Sequence, residues 1–244
     1  SVLIYGQIDR SGLDSRLGEQ GLLSDATIRV RHSWDPQDPD STLGLAATKK
    51  LLGEFAYRVA GDGSVSVDPT WQARYIPAQR ELYSGVGIRA ACNNVIKADL
   101  QAALTEIANA GLAGLIDTAN TNSAGGCFGP RFNRISGNLG ILSRHSWGQP
   151  LDTNTLQNCQ GCVPKMDCRI VQIFRSHGFA WGGNFLFPDG MHFEWTGRVT
   201  NQLAYPSRYC PNPTAKAAES ITLLAPRSTF FDAGSDVFGV AGGG

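Results

Sequence analysis

Two short segments hold the side chains that most constrain what this chain can do. Residues 143–152 read Ser-Arg-His-Ser-Trp-Gly-Gln-Pro-Leu-Asp, and residues 189–195 read Asp-Gly-Met-His-Phe-Glu-Trp. Together they contain two of the chain's four histidines and several carboxylates. A catalytic zinc ion prefers imidazole nitrogens and a carboxylate oxygen, with one position left open for water. We therefore predict His145, Asp152 and His192 as zinc ligands.

The first segment can bring a loop ligand and a strand ligand together. Gly148 permits a sharp turn, and Pro150 fixes φ. The chain can therefore leave a loop near His145 and enter a strand at Asp152. A ligand from the loop and a ligand from the strand can then converge on one ion.

The second segment alternates apolar and polar side chains after a Pro-Asp-Gly turn at residues 188–190. On a strand, His192 and Glu194 would lie on one face, and the apolar residues between them would pack on the other. We expect Glu194 to support His192 rather than to bind the ion. Asp189 would stand at the start of this strand, beside the ion.

These parts indicate peptide hydrolysis. A zinc ion with three protein ligands lowers the pKa of its water towards about 7 and polarises a carbonyl. Asp189 is the candidate base that takes the proton of the water and returns it to the leaving amine. Arg131 is the candidate positive group for the oxyanion of the tetrahedral intermediate. Read one at a time, however, loop histidines and aspartates are usually ordinary polar groups.

The order Ser-x-His-x-x-Gly-x-x-x-Asp followed by Asp-x-x-His-Phe-Glu closely resembles the motifs of zinc D-alanyl-D-alanine carboxypeptidases and L-alanyl-D-glutamate endopeptidases. Enzymes of that family cut the peptide stems of bacterial peptidoglycan, and many phage endolysins use them. The Trp-Gly-Gly at residues 181–183 and the arginine that ends residues 126–131 also look like this family. The resemblance covers roughly residues 112–195.

The resemblance implies the same residues and the same metal. The implied zinc ligands are again His145, Asp152 and His192, with Asp189 as the base and Arg131 near the substrate carbonyl. We further assign Ser143 and Trp181 to substrate binding, although Trp181 is equally compatible with a place in the core. Asp189 stands where some relatives carry glutamate.

We expect an α+β fold, with helices packed on a small antiparallel sheet that carries the zinc site. Residues 1–80 are predicted to form an accessory region, and residues 81–244 the catalytic domain with a C-terminal tail. The hydrophobic pattern predicts helices over residues 41–57, from residue 93 or 94 to 110, and over 166–177. It also predicts strands over residues 27–33, around Val65 and Val67, and over 112–116. A further helix is possible over residues 214–224.

Composition limits the kinds of partner. The formal net charge is zero and the pI is about 6.9, so nothing favours nucleic acid or an anionic membrane. No stretch approaches the roughly 18 apolar residues of a membrane span.

Six cysteines favour disulfides and an oxidising compartment, either secreted or at a cell wall reached by a phage protein. Fifteen pairings are possible. The alternative is a second metal site formed by the cluster Cys159, Cys162 and Cys168.

We compare two functions. The first is a zinc peptidase acting on peptidoglycan, and the second is a non-catalytic zinc-bearing module that binds cell wall or a protein. A degenerate site would be expected to lose its base or a ligand, whereas this chain has all four residues. The sequence therefore favours the enzyme, without indicating its oligomeric state or which bond it cuts.

Overall fold

The computed structural model describes residues 37–119, 126–134 and 140–212. Within these ranges the α-helices are α1 (Leu45–Leu52), α2 (Pro69–Tyr75), α3 (Lys97–Asn109) and α4 (Cys168–Ser176). The strands are β1 (Tyr57–Val59), β2 (Val65–Val67), β3 (Glu81–Tyr83), β4 (Ile88–Ala90), β5 (Pro150–Asp152), β6 (Phe179–Trp181) and β7 (His192–Trp195). Short 3₁₀ helices cover Ala113–Leu115, Arg144–Trp147 and Gly182–Asn184.

Every strand pair in the described residues is antiparallel. β1 pairs with β2 and β3 with β4, which gives two small hairpins. The third sheet has the order β5-β7-β6, so that β7 lies between two neighbours. The predicted α+β fold with small antiparallel sheets is therefore confirmed.

One hydrophobic cluster runs through the described ranges. It contains Leu52 and Trp71 as well as Leu104, Phe174 and Phe193, so residues on both sides of position 80 contribute to it. The rings of Phe174 on α4 and Phe193 on β7 stack with centroids 4.0 Å apart. This packing fixes α4 against the central strand of the third sheet. The division into an accessory region and a catalytic domain stays a prediction.

Two helices follow the sequence pattern closely. α3 buries Leu100, Ala103, Leu104 and Ile107 of the apolar stripe that predicts this helix, whereas Val95 of the same stripe precedes the helix and is exposed. Gly111 follows with φ +71°, a conformation that glycine adopts without strain. α4 begins at its cap Asp167, whose side chain accepts a hydrogen bond from Arg169 N. His177 is the C-cap of α4, and its Nε2 lies 2.7 Å from Glu106 Oε2.

Other expectations were wrong. The helix predicted over residues 41–57 is only α1, because Gly53 ends it with φ +82° and the chain then enters β1. A Cβ on Gly53 would lie 2.6 Å from Trp71 Nε1, so only glycine fits this approach. The strand predicted over residues 112–116 is instead a 3₁₀ turn. The strand expected over residues 27–33 and the helix over 214–224 lie outside the described residues.

A buried ion pair ties the start of the described chain to the third sheet. Arg175 on α4 donates from Nε to Asp40 Oδ1 at 2.9 Å and from Nη2 to Oδ2 at 2.5 Å, and both side chains are fully buried. Asp40 also accepts hydrogen bonds from Trp181 N at 3.0 Å and from Asn184 Nδ2 at 2.6 Å. One carboxylate therefore holds α4, the end of β6 and the turn that follows it.

All six cysteines form disulfides, which pair Cys92 with Cys127, Cys159 with Cys162, and Cys168 with Cys210. Cys168 therefore pairs far from Cys159 and Cys162, and the three do not form the alternative thiolate metal site. Within the described ranges, no helix has both the length and the hydropathy that a membrane crossing requires. The three disulfides are compatible with an extracytoplasmic or secreted protein.

Candidate metal centre

His145, Asp152 and His192 converge. One ligand atom from each lies within 4.8 Å of the others. His145 Nε2 is 3.1 Å from Asp152 Oδ2, and His192 Nδ1 is 3.1 Å from Asp152 Oδ1. The Asp152 carboxylate thus lies between the two imidazoles, with one oxygen directed at each.

The sheet sets two of these three positions. Asp152 ends β5 and His192 begins β7, and the two residues are direct partners in the antiparallel register. Their neighbours Leu151 and Phe193 are also partners and are fully buried. Because side chains alternate along a strand, burying that apolar pair places Asp152 and His192 together on the opposite face.

His145 comes from the 3₁₀ helix Arg144–Trp147. Ser143 caps this helix, and its Oγ accepts a hydrogen bond from His145 N at 3.3 Å. Gly148 ends the helix in the left-handed conformation at φ +62°. A Cβ there would lie 3.0 Å from Asn93 N, so the turn into β5 requires glycine.

The outer nitrogen of His145, which is the ring nitrogen that faces away from Asp152, bonds to a backbone group. Its Nδ1 lies 2.8 Å from the carbonyl oxygen of Cys127. A carbonyl only accepts hydrogen bonds, so Nδ1 carries the proton. Nε2, which faces Asp152 Oδ2 at 3.1 Å, is therefore the nitrogen left to bind a metal once it carries no proton. The disulfide between Cys127 and Cys92 anchors the segment that supplies this carbonyl.

The outer nitrogen of His192 is held by Glu194. His192 Nε2 lies 3.2 Å from Glu194 Oε2, which leaves Nδ1 on the side of Asp152. Glu194 is itself buried, and its Oε1 lies 3.4 Å from Gln149 Nε2 and 3.6 Å from Arg144 Nε. Glu194 therefore contacts His192, and its role as a support for a metal ligand stays a prediction.

The electrostatics of the group favour a charged pair. Burial alone would raise the pKa of Asp152, but the charge and hydrogen bonds of His145 and His192 outweigh it and hold that pKa well below its usual range. Burial alone would lower the pKa of His192, yet the hydrogen bonds to Asp152 and Glu194 outweigh it and raise that pKa to about 10. Positive charge is thus strongly favoured beside Asp152.

The donor set fits a zinc ion. Ligand atoms of a tetrahedral site with bond lengths of about 2.1 Å lie about 3.4 Å apart. Each histidine nitrogen lies 3.1 Å from a different oxygen of Asp152, and one ligand atom from each of the three residues lies within 4.8 Å of the other two. Two imidazoles and one carboxylate give the three protein ligands of a catalytic site, with a fourth position free. Both imidazoles have outer-nitrogen partners of the kind that orient metal ligands.

Asp189 lies on the turn before β7 and interacts electrostatically with the group. Its N donates to Gly182 O at 2.9 Å, and its O accepts from His192 N at 3.1 Å. Its Oδ2 accepts from Gln160 Nε2 at 3.3 Å, whereas its Oδ1 is buried without a hydrogen-bond partner among the described residues. Burial raises the pKa of Asp189, and the charge of His192 opposes this increase. A carboxylate with one uncommitted oxygen can accept a proton.

Arg131 lies close enough to be influenced by both candidate carboxylates. Burial lowers the pKa of its guanidinium, as does the charge of Arg134, while Asp152 and Asp189 oppose the decrease. An arginine remains protonated under such a shift. Its Nη1 donates to Gly129 O at 3.2 Å, and its backbone exchanges hydrogen bonds with Ser146 Oγ. Arg131 therefore provides a fixed positive charge near the group.

The two residues assigned to substrate binding differ in exposure. Ser143 is half-buried and caps the 3₁₀ helix that carries His145. Trp181 is 1% exposed, and its Nε1 donates to Gly190 O at 2.9 Å. The position of Trp181 favours packing beneath the turn that carries Asp189, which was the alternative left open.

Sequence reasoning missed several residues that contact the predicted site residues, namely Cys127 at His145, Arg144 and Gln149 at Glu194, and Gln160 at Asp189. Cys127 acts through its backbone carbonyl, which no side-chain pattern can reveal. Arg144 and Gln149 lie within the first motif, where Arg144 precedes His145 and Gln149 lies between His145 and Asp152, and these positions were a usable signal. Gln160 lies in the connection between the motifs, where only the tertiary structure brings it to Asp189.

A family model described as D-alanyl-D-alanine carboxypeptidase matches residues 136–195. The match spans less than half of the chain and includes His145, Asp152, His192 and Asp189, but not Arg131. It supports a metallopeptidase of that family without specifying a particular member. No curated protein and no solved structure matches the chain.

Proposed function

We propose that this protein is a zinc peptidase that hydrolyses a peptide bond in the stem peptides of bacterial peptidoglycan. The bond would be the one cut by D-alanyl-D-alanine carboxypeptidases or by L-alanyl-D-glutamate endopeptidases. The observation that carries the proposal is the convergence of His145, Asp152 and His192, with Asp189 beside them, inside the segment that matches the carboxypeptidase family.

In this proposal the three converging side chains hold the zinc ion. When bound, zinc polarises the scissile carbonyl and makes water more acidic. Cys127 O and Glu194 keep the outer nitrogens of the two histidines occupied, so that both inner nitrogens are directed at one point. The chain thereby fixes the ligands before metal arrives, which lowers the ordering cost of binding.

Asp189 is the proposed general base. Its buried Oδ1 has no partner among the described residues and can accept the proton of the attacking water. Burial raises the pKa of this carboxyl, which makes it a stronger acceptor for the proton of the water before it passes that proton to the leaving amine. Arg131 is proposed to stabilise the negative charge that develops on the carbonyl oxygen.

The same proposal predicts the compartment in which the reaction takes place. A peptidoglycan peptidase acts outside the cytoplasm or is delivered to the wall by a phage, and three disulfides suit such a compartment. Residues 81–244 would carry the catalytic domain. Residues 1–80 would be accessory, with residues 37–80 packed into the same core.

Two variants separate metal binding from catalysis. Asp189→Asn is expected to retain about one zinc per chain and to lose hydrolysis of purified muropeptides by about 10²–10⁴-fold. His192→Ala is expected to lose the metal itself. Asp62→Asn, in the exposed β1–β2 turn, is the matched control and should behave like the wild type. Full activity in Asp189→Asn would refute its role, and a zinc-loaded but inactive wild type would favour the binding module.

A further inference from the structure

The connection between β5 and α4 lies against the turn that carries Asp189. Gln160 and Asp189 form an isolated antiparallel bridge. Gly161 N donates to Pro188 O at 2.6 Å, and Met191 N donates to Asn158 O at 3.1 Å. The turn at residues 188–191 is therefore held by backbone hydrogen bonds on both sides of Asp189.

A side chain from the same connection reaches the Asp189 carboxylate. Gln160 Nε2 donates to Asp189 Oδ2 at 3.3 Å. The other oxygen, Oδ1, is buried and has no partner in the described part of the chain. The amide thus fixes the rotation of the carboxylate by one oxygen and leaves the second oxygen available.

A disulfide encloses Gln160. Cys159 and Cys162 are bonded across a four-residue turn in which Cys162 N also donates to Cys159 O at 3.0 Å. Gly161 completes the turn with φ +85°. The other two disulfides join residues 35 and 42 positions apart, whereas this one joins residues three apart. Because a short loop constrains the unfolded chain least, the effect of this disulfide is mainly local.

We propose that Gln160 is a positioning residue for Asp189, and that the Cys159–Cys162 disulfide holds Gln160 in the position from which it orients that carboxylate. The inference rests on the proposed role of Asp189 as the base. It assigns a catalytic consequence to a loop that contributes no metal ligand. Turnover should therefore depend on this loop, while zinc binding should not.

Substitutions at Gln160 test the hydrogen bond. Gln160→Met keeps the length of the side chain without the donor, and Gln160→Glu adds a negative charge beside Asp189. We expect kcat on purified muropeptides to fall about tenfold or more in Gln160→Met and further in Gln160→Glu, with unchanged KM and full zinc content. Gln157→Met, at an exposed glutamine of the same loop, is the matched control and should retain wild-type kcat.

The double variant Cys159→Ser with Cys162→Ser tests the disulfide. It should retain zinc and show the same fall in kcat. In the metal-free protein, hydrogen exchange at the Gly161 and Met191 amides should be about tenfold faster than in the wild type, because both amides bond across this contact. This second measurement does not depend on activity.

The outcomes are distinguishable. Values of kcat within twofold of the wild type in Gln160→Met and Gln160→Glu would overturn the inference, as would an equal loss in Gln157→Met. Loss of zinc in the Gln160 variants would also overturn it, because the loop would then serve the metal ligands. A wild type that binds zinc but cuts no muropeptide would contradict the proposed function, and the inference would fall with it.

Discussion

Asp152 and His192 are direct partners across the β5–β7 pair, and Asp152 Oδ1 lies 3.1 Å from His192 Nδ1. The buried partners Leu151 and Phe193 stand next to them in the same register. A slip by one residue would move the apolar pair out of the core, so burial of that pair maintains the register. The geometry of two candidate ligands is thus a consequence of core packing.

Glu194 should control metal affinity without binding the ion. Its Oε2 accepts the proton of His192 Nε2, and Glu194→Gln would replace this charged acceptor with a neutral amide. Loss of such an outer partner typically weakens metal binding about 10–100-fold. Competition with a chromogenic chelator measures the zinc dissociation constant. Glu54→Gln, at an exposed glutamate paired with Lys49, is the control, and equal affinities in both variants would refute the prediction.

Zinc binding should release about one proton at neutral pH. The pKa of His192 in the metal-free protein is raised to about 10, so this imidazole is protonated below that pH and must lose a proton from Nδ1 to bind metal. Affinity should therefore fall about tenfold for each unit of decreasing pH between about 7 and 9. Calorimetry in buffers of different ionisation enthalpy counts the protons. A pH-independent affinity over this range would contradict the assignment of His192.

Gly182 should tolerate no side chain. A Cβ there would lie 2.5 Å from Asp189 O and 3.0 Å from His192 Cβ. Gly182→Ala must push the turn that carries Asp189 away from β6, at a cost of about 1–3 kcal/mol in stability and with a loss of turnover. Gly114→Ala is the control, since nothing lies within 4 Å of its Cβ position. Urea unfolding together with muropeptide assays would detect the difference, and wild-type behaviour of Gly182→Ala would refute this account of the turn.

The buried Arg175–Asp40 pair should be essential for stability. Arg175→Met would leave the Asp40 carboxylate uncompensated in the core, which costs about 3–5 kcal/mol. Arg169→Met removes an exposed pair with Asp167 on the same helix and should cost less than about 1 kcal/mol. Denaturant unfolding of both variants measures the contrast. Equal denaturation midpoints in the two variants would show that the buried pair stabilises the fold no more than the exposed pair does.

The sequence predicted best those helices and strands whose pattern of apolar and polar residues is visible within the element itself. The spacing of apolar residues identified the buried face of α3, because that helix is amphipathic by itself. The alternation in β7 separated its polar side chains from its apolar ones, although all four residues are buried. The end of α1 was predicted too late. Gly53 was visible in the sequence, but its close approach to Trp71 depends on the packing of α2.

The sequence predicted which side chains converge at the candidate site, but not the hydrogen bonds and disulfides that hold them there. The two motifs identified the three side chains that converge, because zinc binds particular donor atoms. The hydrogen-bond partners of those side chains were harder to predict from the sequence. The Cys127 carbonyl carries no sequence signal, and the pairing of Cys168 with Cys210 depends on where the chain returns in three dimensions.

We propose that this protein cuts peptide bonds in peptidoglycan by means of a metal held by His145, Asp152 and His192. The most direct measurement is mass spectrometry of purified peptidoglycan fragments incubated with the protein, with and without a zinc chelator. We predict new peptide ends that appear only without chelator, at the D-Ala–D-Ala or the L-Ala–D-Glu bond. Unchanged fragments with zinc confirmed in the sample, or cleavage that the chelator leaves intact, would refute this function.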